Sequence, residues 1–185
     1  VRLFVAVNLP ADLRDAVWAA AEGARRGTTP VRWVGSDGVH VTLKFLGEVA
    51  DERLDEMRAA LGRAAAGLRP FTLTLSGGGV FPNPSRPRVF WVGIDAEPQL
   101  ELLQHAVERE IAPLGFPTEA RAFRPHATLG RAERDAGAAD LRRAAERLAD
   151  APFAGSALIE TVDLMRSTLS PRGARYEAVH RERLG

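Results

Sequence analysis

Two stretches of this chain repeat at a constant offset of 86 residues, and that repetition constrains the fold more than any other feature. Arg2 opens an apolar run, and His40 follows it by 38 residues; Arg88 opens a second run, and His126 follows by the same 38. The offset pairs Phe4 with Phe90, His40 with His126, Thr42 with Thr128 and Leu43 with Leu129. Further on the register slips, because Pro70-Phe71 matches Pro152-Phe153 at an offset of 82. We read the repetition as an internal duplication within one domain over residues 1–185. The approximate repeats are 1–80 and 88–165, and a terminal segment, 166–185, returns to the sheets.

Local patterning fills in the elements. Residues 2–8, 31–34, 39–46 and 71–75 read as strands from continuous or alternating apolar positions. Pro10 opens a helix to about residue 26, and Asp51 is placed as the N-cap of another to about residue 67. Residues 77–87, rich in Gly and Pro, read as a connection. The second half predicts a strand over 88–94, a helix from Pro98 through Leu114, a short extended segment within 115–125, and a strand over 126–130. A helix over 138–150 and strands over 157–165 and 176–179 complete the chain.

Composition narrows the chemistry. The 185 residues, 45% of them hydrophobic, suffice to bury a core. The absence of cysteine excludes a disulfide scaffold, a thiolate metal site and a thiol nucleophile. A net charge of +1 gives no general attraction to a polyanion, so any nucleic-acid contact is expected to be local. The N-terminal apolar run, Leu3 to Val7, lacks a cleavage pattern, and no stretch is long enough to span a membrane. The chain therefore reads as cytoplasmic.

The polar motif present twice is His40-Val41-Thr42-Leu43 and His126-Ala127-Thr128-Leu129. On a strand, histidine and threonine two apart share one face while the residues between them turn into a core. Two such strands side by side would offer two imidazoles and two hydroxyls to one cleft. Paired imidazoles suit concerted general-base and general-acid catalysis, and the hydroxyls can donate hydrogen bonds to an oxyanion. Phosphodiester cleavage fits these parts. A metal site fits poorly, since threonine is a weak ligand and neither motif holds a carboxylate. Ser-His-Asp chemistry lacks its nucleophile elbow, and Gly77–Gly79 lack the Gly-Lys-Ser/Thr of a P-loop. His105 and His180 read as surface or packing histidines.

The paired motifs, the opening RLFVAVNLP, HVTLKFLGEV, PRVFWVGI and RPHATLGR together resemble the RNA 2′,3′-cyclic phosphodiesterases of the two-histidine phosphoesterase superfamily, a group formerly termed 2′-5′ RNA ligases. The resemblance covers nearly the whole chain. It implies an α+β, bilobal fold of two pseudo-two-fold-related lobes, with antiparallel-rich sheets around a central groove and helices outside. It implies hydrolysis of 2′,3′-cyclic phosphate ends to 2′-phosphates without metal or cofactor, with His40 as proton donor and His126 as proton acceptor. The implied partners are RNA ends or nucleotides with a cyclic phosphate, tRNA fragments among them, with no membrane and the chain acting as a monomer. Two other functions stay open: end-joining to form 2′-5′ linkages, and a non-catalytic RNA-end or nucleotide binding module.

Supporting residues follow from strand parity. Lys44 lies on the His40 face, within reach of a phosphate, and Phe45 has core parity. Arg131 matches an arginine that the resembled family usually carries and is a substrate-binding candidate; simple alternation puts it opposite His126, but a strand end or bulge at Gly130 would re-aim it. Arg124, a further substrate-binding candidate, has the right parity and is placed at or beyond the strand end. Phe81 is expected in an exposed loop, where it could stack on a base, and Trp33 could serve similarly.

Overall fold

A computed structural model describes residues 1–26 and 30–185. Among the described residues, nine strands form a single sheet in which every pairing is antiparallel. They are β1 (Arg2–Asn8), β2 (Val31–Trp33), β3 (His40–Glu48), β4 (Phe71–Phe81), β5 (Val89–Ala96), β6 (His126–Ala132), β7 (Ser156–Ile159), β8 (Thr161–Ser170) and β9 (Gly173–Arg183). Their order is β7-β4-β5-β6-β3-β1-β8-β9, with β2 also paired to β6. The described residues also form five α-helices: α1 (Ala11–Ala20), α2 (Glu22–Arg25), α3 (Leu54–Ala65), α4 (Pro98–Ile111) and α5 (Ala138–Ala149). The mixed α and antiparallel-β class expected from the sequence is the one observed.

Helical periodicity puts Met57, Leu61 and Ala64 on one face of α3, Leu103, Val107 and Ile111 on one face of α4, and Leu141, Ala145 and Leu148 on one face of α5. All of these join a single core with Leu3, Val5 and Val7 of β1, Val41 of β3 and Phe90 of β5. The opposite face of the sheet carries a much smaller apolar cluster of Phe4, Ala6 and Met165, with Tyr176 against it. β1 is therefore buried on both faces, which accounts for its unbroken apolar run.

The eight strands of this path fall into two four-stranded halves that meet at β3 and β6, with β2 added at β6. A single ladder pair, Val41 with Ala127, joins them. These residues differ by the repeat offset of 86, so a local two-fold passes between them. The halves are not the two sequence segments: β4 pairs with β5, while β8 crosses back to pair with β1.

Several local expectations are corrected. Residues 77–81 belong to β4, and only residues 82–88 connect it to β5. Gly78 and Gly79 serve close packing, because a Cβ on Gly78 would come within 2.4 Å of the Leu148 carbonyl oxygen and one on Gly79 within 2.3 Å of the Trp91 ring. Asp51 is not an N-cap: residues 51–53 form a 3₁₀ turn, and α3 begins without a side-chain cap. Residues 115–125 contain no strand. The region 157–165 divides into β7 and β8, and the last strand extends well beyond 176–179.

Candidate active site

β3 and β6 deliver the two motifs. Val41 and Ala127 are fully buried on the helix side, so His40, Thr42, His126 and Thr128 project from the other face. In the register centred on Val41 and Ala127, Thr128 stands opposite His40 and Thr42 opposite His126. The histidines are thus diagonal neighbours, an arrangement that places Cα atoms about 7–8 Å apart in a regular ladder.

Each motif strand carries a bulge just past its threonine, and the two bulges decide which supporting residues enter the site. Ala6 pairs with Thr42 and Val5 with Lys44, leaving Leu43 extra on β3. Trp91 pairs with Thr128 and Phe90 with Gly130, leaving Leu129 extra on β6. The extra residue reverses the parity of the residues that follow it, on β3 as far as a second bulge at Leu46. Lys44 therefore points into the core, not toward a phosphate: it is 3% exposed, and its Nζ donates to Glu108 Oε2 at 2.8 Å and to the Pro117 carbonyl at 2.9 Å. Phe45, expected in the core, lies on the catalytic face and is 49% exposed. Its ring stacks on Phe4 at 6.5 Å, with the Arg2 guanidinium 5.0 Å from its centroid.

On β6 the bulge turns Arg131 onto the face of His126 and Thr128, the outcome foreseen for an irregularity at Gly130. Gly130 itself is covered by Trp33: a Cβ there would meet the indole and Val31 at 2.8 Å. Trp33 packs edge-on to Phe90 at 5.6 Å on the helix side, so it does not line the site. Arg124 lies before β6 begins. Its carbonyl accepts a 2.6 Å hydrogen bond from His126 Nδ1, while its side chain is exposed. Phe81 ends β4 rather than sitting in a loop. Its ring meets His126 edge-on at 5.1 Å.

Both imidazoles sit between aromatic rings. His40 lies 4.9 Å from Phe4 and 5.2 Å from Tyr176, and His126 lies 5.1 Å from Phe81 and 6.2 Å from Trp91. Each is also tied to the backbone two residues upstream, His126 to Arg124 and His40 to Gly38. A carbonyl only accepts, so Nδ1 of His126 carries the proton and Nε2 is left to act as a base. Burial lowers the His40 pKa from 6.5 to about 4, against the opposing hydrogen bond to Gly38. Beside His40, its register partner Asn8 donates to the buried Asp163 carboxylate at 2.6 Å, which Arg181 grips through two bonds of 2.8 Å.

Sequence reading overlooked Trp91, although Phe90, Val92 and Ile94 alternate inward around it and leave it on the catalytic face. Tyr176 and Asp163 reach the site only through β9 and β8, and nothing local to their sequence signals it. His105 is exposed on α4, and His180 pairs with Glu182 at 2.7 Å. Among the described residues no three His, Cys, Asp or Glu gather as a metal site would require. Nor is any described helix long and apolar enough to cross a membrane.

This antiparallel sheet, with helices behind it and its two His-x-Thr strands where the halves meet, has the fold of solved LigT-like phosphoesterases. A solved structure of TT0787 from Thermus thermophilus superposes with a TM-score of 0.83 and 30% identity, covering 100% of this chain and 98% of that one. Escherichia coli LigT complexed with 3′-AMP gives 0.76 and 29%, over 99% and 97%. The family model of the 2′-5′ RNA ligase superfamily matches residues 13–170, and the chain belongs to that family. Relatives named RNA 2′,3′-cyclic phosphodiesterase include one from Methanothermobacter thermautotrophicus, 33% identical over 95% of each chain. Another, from Archaeoglobus fulgidus, is 33% identical over 96% of this chain and 97% of its own.

Proposed function

We propose that this protein hydrolyses the 2′,3′-cyclic phosphate at an RNA or nucleotide end to a 2′-phosphate, using His126 as base and His40 as acid. The observation that carries the reading is the pair of His-x-Thr strands meeting on one face at the local two-fold. In this mechanism Nε2 of His126 takes a proton from water, and the water oxygen bonds to phosphorus. The P–O3′ bond breaks, and His40 protonates the departing O3′. The hydroxyls of Thr42 and Thr128 donate to the non-bridging oxygens, where charge concentrates in the transition state, and Arg131 adds positive charge on the same face. No step requires a metal. We also propose that the catalytic domain arose by duplication of one strand–helix unit, and that the enzyme works beside its RNA in the cytoplasm as a monomer.

The state of His40 sets a condition. With a pKa of about 4 it is neutral in the free protein at pH 7 and has no proton to give. A bound phosphate anion favours the charged imidazole and raises that pKa, so substrate and proton arrive together. Binding of a 2′-nucleotide is therefore expected to take up a proton above about pH 4, where the free imidazole is neutral, and to take up less as the pH rises further. Calorimetry in buffers of differing ionisation enthalpy measures this, and His40→Gln should abolish the uptake. Proton release on binding would contradict the assignment.

The family's name favours one further reading, that the same site joins RNA ends through a 2′-5′ linkage, with a ribose 5′-hydroxyl replacing water. Joined product from tRNA halves would support it. The hydrolytic reading is tested by turnover of a 2′,3′-cyclic nucleotide in excess chelator, present in the native protein and lost in each histidine variant.

A further inference from the structure

Beyond the motif threonines lies a row of side chains of which the chemistry above uses only the charge of Arg131. Across β4, β5, β6 and β2 the ladder aligns Phe81 with Val89, Val89 with Arg131, and Arg131 with Arg32. Cross-strand partners share a face, so the whole row projects on the side of His126 and Thr128. Arg32 and Arg131 are both exposed and stand directly opposite each other. Like charges in that relation destabilise a sheet. Some arginines find carboxylates, as Arg63 does at Glu110 and Arg181 at Asp163, and many exposed ones do not, so what sets Arg32 and Arg131 apart is that they face each other across the ladder. Neither Arg32 nor Arg131 has an ion-pair partner among the described residues.

The fold goes to some length to build this pair. The bulge at Leu129 turns Arg131 to this face, and Gly130 lies beneath the indole of Trp33, the residue after Arg32. The far end of the row is Phe81, whose ring lies 5.0 Å from that of Trp91 in the row of Gly79 and Thr128. Two unpaired guanidiniums on adjacent strands match a phosphate, which each can grip through two N–H groups. An aromatic surface in the same row suits a base.

We propose that Arg32 and Arg131 form a second anion subsite that holds the RNA-chain phosphodiester next to the reacting cyclic phosphate, with Phe81 alongside for a base. This rests on the proposed function and sharpens it: the preferred substrate is an oligonucleotide end, and a mononucleotide fills only half the site.

The test is calorimetric binding of a 2′-phosphate-ended trinucleotide and of 2′-AMP to the native protein, Arg32→Gln and Arg32→Lys, at several salt concentrations. The native protein should favour the trinucleotide by about tenfold or more, a margin equal to one charge-assisted contact. Arg32→Gln should remove most of that preference and reduce the salt slope for the trinucleotide by about 0.7, the value for one phosphate contact on a single strand. Arg32→Lys should keep the slope and recover part of the preference. An equal preference in native and Arg32→Gln protein, or an equal loss for both ligands, overturns the subsite. Binding needs no turnover, so the two readings fail separately: a protein inert toward cyclic phosphates that still shows the Arg32-dependent preference refutes the hydrolase and keeps the subsite.

Discussion

Replacing His126 with alanine is expected to lower kcat on a 2′,3′-cyclic nucleotide by about 10²–10⁴, the usual contribution of a positioned general base. His40→Ala should fall in the same range, for loss of the acid. KM should move little in either, because the proton transfers belong to the transition state and not to the bound ground state. The double variant should be far less impaired than the product of the single losses, since base and acid act in one concerted step. The surroundings of the two rings predict a difference between them. His126 is held by the Arg124 carbonyl at 2.6 Å and by Phe81 and Trp91, so His126→Gln keeps the shape but provides no base. Retention of more than a tenth of native kcat by either alanine variant would remove that histidine from the mechanism.

The second large effect lies behind the site. Lys44→Met should destabilise the fold by about 3–5 kcal/mol, because it strands the Glu108 carboxylate in the core. Glu108 is 6% exposed, and its remaining partner is Gln104, 3.5 Å away. The methionine occupies much the same volume, so the loss reflects the unpaired charge and not a cavity. Lys44→Met with Glu108→Leu should recover most of it, as apolar replacement of a whole buried pair is often neutral. Urea titration measures both. A single variant within about 1 kcal/mol of native would show that the ion pair does not hold β3, α4 and Pro117 together.

The same lysine shows where sequence reading stops. Period-two alternation placed His40, Thr42, His126 and Thr128 on one face because it needs only one local rule, and those residues precede any irregularity. Lys44, Phe45 and Arg131 follow a bulge, and one extra residue inverts the parity of each. The repeat held a clue, for the extra residues Leu43 and Leu129 are themselves 86 apart. A buried lysine was unexpected because its partners, Glu108 and Pro117, lie 64 and 73 residues away. Gly78 and Gly79 of β4 read as a loop since what they pack against, the Leu148 carbonyl of α5 and the Trp91 ring of β5, lies in other elements. Tyr176 enters the site for the same non-local reason, through the pairing of β9 with β8.

Two histidines that divide acid and base between them must also fix which bond breaks, and that regiochemistry is the most direct measure of the account. Native protein incubated with a 2′,3′-cyclic mononucleotide in ¹⁸O-labelled water and excess chelator, followed by phosphorus NMR, should give the 2′-monophosphate with the label on its phosphate. A 3′-monophosphate, or no hydrolysis under these conditions, would contradict it.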